Sequence, residues 1–303
     1  MNNQIRFTLP GLSRHVKLNI VFSTYFRSNR NKFIDGAVID SIYGAFSPSL
    51  WNSGRNSFGE VEERVVRLIV SNFNNMNIGV RFTFSNPLIT EKHLDDPFCN
   101  RCLEIISENK INGVIVVSEI LENYIREKYP EMYIISSTCK CITDTETLKA
   151  ELEKDYKLVV LDYNFNDRLS ELESFVNKDK IELLINSGCG ERCEFRREHY
   201  EFLGREQIRY NENRKFNLWE RPCSHTQNPF SACKRTTFIT RDKLWNDLVP
   251  AGYTNFKIEG RANSVFTVLE YYLYYLAKDE FKDEARFDIM NQLGMVGVVK
   301  VEE

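Results

Sequence analysis

A chain of 303 residues with 42% hydrophobic and 27% charged residues has the make-up of a folded globular protein, which excludes wholesale disorder. Its formal net charge of −3 excludes the strongly basic balance by which nucleic-acid binding usually shows itself. The N-terminus, MNNQIRFTLPGLSRHVKLN, lacks the basic patch and apolar stretch of a signal peptide, and the most apolar run, 265–277, is too short and Tyr-rich for a membrane span. A cytoplasmic protein with no membrane partner is therefore expected.

Short β-branched runs alternate with helix-period segments along the chain. Strands are expected at 17–22 and 39–43, followed by a helix whose inner face is Val61, Val65, Leu68, Ile69 and Met76. Next come strands at 80–84 and 113–117, then a helix carrying Ile120, Leu121, Tyr124 and Ile125. Strands at 133–137 and 158–162 follow, with a helix on Leu169, Leu172, Phe175 and Val176. The last strands are 182–186 and 256–259. Val265, Phe266, Leu269, Tyr272, Leu273 and Leu276 mark a covering helix, and 281–292 a terminal one. Runs such as GVIVV and KLVVL are apolar throughout, as parallel strands are when helices cover them. Eight strands alternating with helices predict an α/β fold, a single (β/α)8 TIM-type barrel occupying 1–303. The regularity fails over 187–236, a Cys-rich insertion after strand seven.

That insertion carries Cys189, Cys193, Cys223 and Cys233. In an unsecreted chain most thiols stay reduced, so metal ligation is the special use to test. Four soft thiolates in one segment suit an iron–sulfur cluster. They serve zinc equally well, with His199 or His225 recruited, or they are unrelated thiols. Arg196, Arg197 and His199 follow the first pair, where they can bond cluster sulfurs or bind an anion. On the last strand, FKIEGR sends Lys257 and Glu259 to the barrel interior by alternation, as an inward Lys–Glu pair. Arg261 just beyond suits an anionic group or a loop tie. Such strand ends are where barrel enzymes keep catalytic residues, and a structural ion pair that closes the barrel is the equal alternative. Asp162, Asn186, Ser137 and Thr138 end other strands at the same mouth. Cys99 and Cys102 have the C-x-x-C spacing without a second pair, and with Cys139 and Cys141 they read as packing thiols. No P-loop, dinucleotide Gly-rich turn, HExxH or GxSxG is present.

Taken in order, LINSGCGERCEFRREHY, the PC at Pro222–Cys223, FITRDKLW and AGYTNFKIEGR resemble the collagenase-like peptidase U32 family. IDSIYG and VSEILENYIREKYPEMYIISST extend the likeness over most of the chain. The resemblance implies a barrel with a 4Fe–4S cluster held by Cys189, Cys193, Cys223 and Cys233. It also places Lys257, Glu259 and Arg261 in the family's strand-eight motif as the catalytic candidates. Branches of the family support oxygen-independent hydroxylation of RNA bases or of a quinone precursor, with prephenate as oxygen source in some. The expectation that follows is an iron–sulfur enzyme acting on a small or nucleobase-like substrate at the barrel mouth. The alternatives are a U32-type peptidase and a non-catalytic, cluster-carrying subunit paired with a second family member. The C-x3-C spacing of Cys189 and Cys193, and an end soon after the barrel, depart from the better-known branches.

Overall fold

The computed structural model describes residues 4–226 and 228–298, so the ends of the expected 1–303 unit lie outside the described residues. Within them, eight parallel strands close in chain order into one barrel, each bonded to the next and the last to the first. They are β1 (Ile5–Pro10), β2 (Ala37–Gly44), β3 (Gly79–Phe84), β4 (Gly113–Val116), β5 (Tyr133–Ser136), β6 (Leu158–Val160), β7 (Ile181–Leu184) and β8 (Asn255–Lys257). Helices α1 (Val16–Ser28), α2 (Glu63–Asn75), α3 (Pro97–Ser107), α4 (Glu119–Lys128) and α5 (Thr145–Glu153) follow the first five strands. Between β7 and β8 lie α6 (Arg196–Asn213) and α7 (Pro229–Ala232), and after β8 come α8 (Val265–Leu276) and α9 (Lys282–Met295). No helix among the described residues is long and apolar enough to cross a membrane.

The barrel has the expected number of strands, but its first strand is not where the apolar run suggested. Residues 17–22 belong to α1, whose Leu18, Val21, Phe22, Tyr25 and Phe26 are buried at the three- and four-residue spacing of a helix; β1 is the earlier IRFTLP. In α2 the buried stripe is Val66, Val70 and Phe73. Leu68 is 62% exposed, and Ile69 and Met76 lie at the margin of the core. Two apolar stripes competed there, and the one carrying the aromatic ring faces the sheet. The helix expected around Leu169–Val176 is instead a pair of 3-10 turns, Tyr163–Asp167 and Leu169–Leu172, with Val176 exposed. Asp162 caps the first turn by accepting from the Asn164 N–H. Asn166 donates to the carbonyls of Leu184 (2.7 Å) and Thr237 (2.8 Å), which holds the segment flat against β7.

The main apolar core lies between strands and helices, where Phe7, Phe22, Phe82, Phe256 and Tyr272 are sealed from solvent. A second, small cluster of Tyr43, Ile115, Ile135, Leu158 and Val160 fills one side of the lumen. Polar residues share the lumen with it: Thr8, Ser41, Arg81, Thr83, Glu182 and Lys257 are all buried. A register shift in β2 creates part of this arrangement. Phe7 pairs with Ile39 but Thr8 with Ser41, so Asp40 is an extra, bulged residue. Ile39 therefore packs outward, while Ser41 and Tyr43 turn inward, a re-aiming that bulges commonly produce.

Candidate active site at the barrel mouth

Arg81, Glu182 and Lys257 are each the one charged residue of their strand, and strand alternation turns all three into the lumen. Arg81 bridges two carboxylates, reaching Glu182 Oε1 at 2.6 Å and Asp40 Oδ2 at 2.7 Å, and Thr8 donates to the same Glu182 oxygen at 2.7 Å. Burial opposes ionisation of Glu182, but the adjacent Arg81 and Lys257 charges and these hydrogen bonds hold its pKa below the ordinary 4.5. Lys257 pairs loosely with Glu182, its Nζ 3.9 Å from Oε2 and 4.1 Å from the Tyr43 ring centroid. Burial pushes the lysine pKa down to about 8, with Glu182 opposing and Arg81 and Arg261 assisting. The inward Lys–Glu pair of the sequence analysis is thus formed with Glu182 of β7. Glu259 binds Arg55 instead, at 2.6 Å.

Above this layer the mouth is a cavity of about 60 Å³, bordered by Tyr43, Cys139, Cys189, Lys257, Glu259 and Arg261. That is room for roughly four to six waters at ~10–15 Å³ each. Arg261 donates to Asn52 Oδ1 (3.3 Å), Thr83 Oγ1 (3.1 Å) and the Ser53 carbonyl (3.3 Å), all neutral acceptors. Burial lowers its pKa. Gly54, in the left-handed region at φ +75°, lets this guanidinium pass: a Cβ there would stand 3.0 Å from Nη2. Asn186 holds the end of β8 by exchanging two hydrogen bonds with the Glu259 backbone, at 2.9 and 2.6 Å.

The thiols lie beside this cavity. Cys189, Cys193 and Cys223 border one smaller hollow of about 20 Å³ together with Arg55, His199 and His225, and Cys189 borders both hollows. Glycines bring the two cysteine loops together. A Cβ on Gly188 would sit 2.2 Å from the Thr226 carbonyl, and one on Gly190 1.9 Å from Ser224 Oγ; the Thr226 N–H also donates to the Gly188 carbonyl at 2.8 Å. Cys233 is not among the residues bordering the hollow. Its thiol donates to the Phe230 carbonyl at 3.5 Å. Three thiols and two imidazoles, with no carboxylate among the bordering residues, fit a soft metal in donor chemistry. Among the described residues no group of three or more His, Cys, Asp or Glu is drawn to metal-ligand spacing.

The remaining candidates are tied up locally. Arg196 is ion-paired with buried Asp162, donates to Thr138 Oγ1 at 3.0 Å and stacks 4.1 Å from the Tyr163 ring. Arg197 donates to the Lys140 carbonyl at 3.3 Å, and Ser137 caps the turn after β5. His199 stacks on Trp219 at 4.7 Å, and burial pushes its pKa to about 4. Cys99 and Cys102 are buried in α3, where burial pushes both thiols well up.

No family's sequence model matches the chain, and no curated protein matches it. A solved structure, that of the U32 peptidase Mk0906, superposes with a TM-score of 0.53 at 15% identity, covering 85% of this chain and 93% of the other. The barrel thus shares its fold with that solved structure. Sequence reasoning missed Tyr43, Arg55, Arg81 and Glu182 as parts of the site. Three of them carried a usable signal: Arg81 and Glu182 are each the one charged residue of their strand, and Arg55 follows a glycine in a loop leaving a strand end.

Proposed function

We propose that this chain is a cytoplasmic U32-type iron–sulfur enzyme that acts on a small or nucleobase-like substrate at the barrel mouth by oxygen-independent hydroxylation. The observation that carries this reading is the position of Cys189, which borders the thiol hollow on one side and the chamber of Lys257, Glu259 and Arg261 on the other. Cys189, Cys193 and Cys223 would hold the 4Fe–4S cluster, with Cys233 as the fourth ligand implied by the family resemblance. A bound cluster supplies one-electron chemistry. The chain's own residues supply the rest: Arg261 seats an anionic group, Lys257 donates a proton or hydrogen bond from below, and Arg55 fixes the Glu259 carboxylate at the rim.

Anaerobic purification followed by iron and sulfide analysis tests this reading. Bound iron and sulfide that disappear in Cys189→Ser are the expected result. A colourless protein with stoichiometric zinc overturns the cluster in favour of zinc on the same thiols with His199 or His225. Similarity to a structure named as a peptidase favours peptide hydrolysis as a second reading. Against it, among the described residues no serine or cysteine of the mouth is hydrogen-bonded to a histidine, the usual activated nucleophile. Cleavage of gelatin by the metal-replete protein would reverse the order.

A further inference from the structure

We infer that Lys257 forms a covalent imine with a small carbonyl compound whose anionic group is seated on Arg261. The inference goes beyond the cluster reading and needs no metal.

Two cations face the mouth cavity, and among the described residues neither has a carboxylate at hydrogen-bond distance. Among the described residues Lys257 Nζ makes no hydrogen bond, and the facing Glu182 Oε2, 3.9 Å away, also has none. That carboxylate spends its other oxygen on Arg81 and Thr8, so it holds the amine in place without capturing it. Arg261 is bonded to three neutral oxygens and to no carboxylate. Both cations lie against one ring, Nζ 4.1 Å and the Arg261 Cζ 5.7 Å from the Tyr43 centroid. A ligand a few atoms long, with an anionic end and an adjacent carbonyl, spans that arrangement and suits a chamber of about 60 Å³. The neighbouring Arg81–Glu182 pair closes at 2.6 Å, a charge-assisted hydrogen-bond length, whereas Lys257 stays at 3.9 Å.

The chemistry balances without an added redox partner. The ammonium releases a proton to water, and the amine lone pair adds to the carbonyl carbon as the carbon–oxygen π pair moves to oxygen. That oxygen takes up a proton, and the carbinolamine then loses its hydroxyl with a second proton as water, leaving the carbon–nitrogen double bond. Groups facing the amine are Glu182 from β7, Arg81 from β3, Tyr43 from β2, Cys139 after β5 and Arg261 after β8. Burial and the two arginines favour the free amine, so addition speeds up as pH rises through about 8.

The test uses the protein as isolated, incubated with glyoxylate and sodium cyanoborohydride, and maps reduced adducts by peptide mass spectrometry. Iron is measured on the same sample, so failure of the cluster reading is scored separately. The expected result is saturable, single-site labelling at Lys257 that rises with pH, with exposed Lys110 labelled only slowly. Uncharged acetaldehyde should label Lys257 less well, and Arg261→Gln should erase glyoxylate's advantage of roughly tenfold or more, the size of one charge-assisted hydrogen bond. Labelling of Lys110 with Lys257 untouched overturns the imine. Equal labelling by both aldehydes in the unmutated protein overturns the role of Arg261. Mapping the unmutated protein keeps the test decisive even where Lys257→Arg fails to fold.

Discussion

Glu182 is fully buried in the lumen, and its charge is tolerated because Arg81, Thr8 and Lys257 surround it. Removing one member of such a pair strands the other in a dry interior, which typically costs about 3–5 kcal/mol. Glu182→Gln should therefore lower the unfolding free energy obtained from urea titration by that much while leaving circular dichroism native. The pH dependence has a definite sign. Because the folded pKa lies below the ordinary 4.5, the carboxylate's contribution is complete above that value and fades as pH falls through the folded pKa. The unmutated protein should lose melting temperature below pH 4.5 more steeply than the Gln variant. Parallel curves would show that Glu182 titrates normally.

At the scale of elements, the site depends on two loops approaching through glycines. The CGERC loop after β7 meets the CSH segment before α7, and Gly190 has no room for a side chain against Ser224. Gly190→Ala should push the loops apart at a cost of about 1–3 kcal/mol for overpacking, separating Cys189 from Cys223. Metal content should fall sharply while the barrel's far-ultraviolet spectrum is unchanged. Retention of full metal in this variant would mean that the loops are not held together by that contact. Helix α6 roofs the same region. Its Arg196 is locked to Asp162 just after β6, and farther along the helix Asn86 Nδ2 donates to the Gly204 carbonyl at 3.0 Å, an approach that needs glycine because a Cβ there would lie 2.3 Å from Asn86 Oδ1.

For the whole molecule, the closed barrel and the thiol segment differ in how they are held. Every barrel strand is bonded on both sides, whereas residues 214–226 run mostly exposed, without helix or strand. Metal bound to Cys223 would tie that stretch to the barrel and lend it stability. Limited proteolysis of chelator-treated protein should therefore cut first between α6 and α7, giving one fragment that carries β1–β7 and another that carries β8, α8 and α9. Metal-replete protein should resist at the same site. Initial cutting elsewhere, read from fragment masses, would disprove the idea that the metal organises this segment.

The amino-acid sequence by itself determined the strand count, the inward aim of Lys257 and Glu259, and the clustering of thiols after β7, because alternation and spacing are local properties. It did not separate β1 from α1, since a six-residue stretch such as KLNIVF is too short to tell one period from the other. It also hid α6, whose buried face includes Arg196, Glu206 and Gln207 and so carries little apolar signal. Only the tertiary structure decided the partners: Lys257 with Glu182, Glu259 with Arg55, and three thiols around one hollow with the fourth apart. Each of those pairings joins different strands or loops, and barrel closure, the bulge at Asp40 and the close approach at Gly188 and Gly190 set which side chains meet.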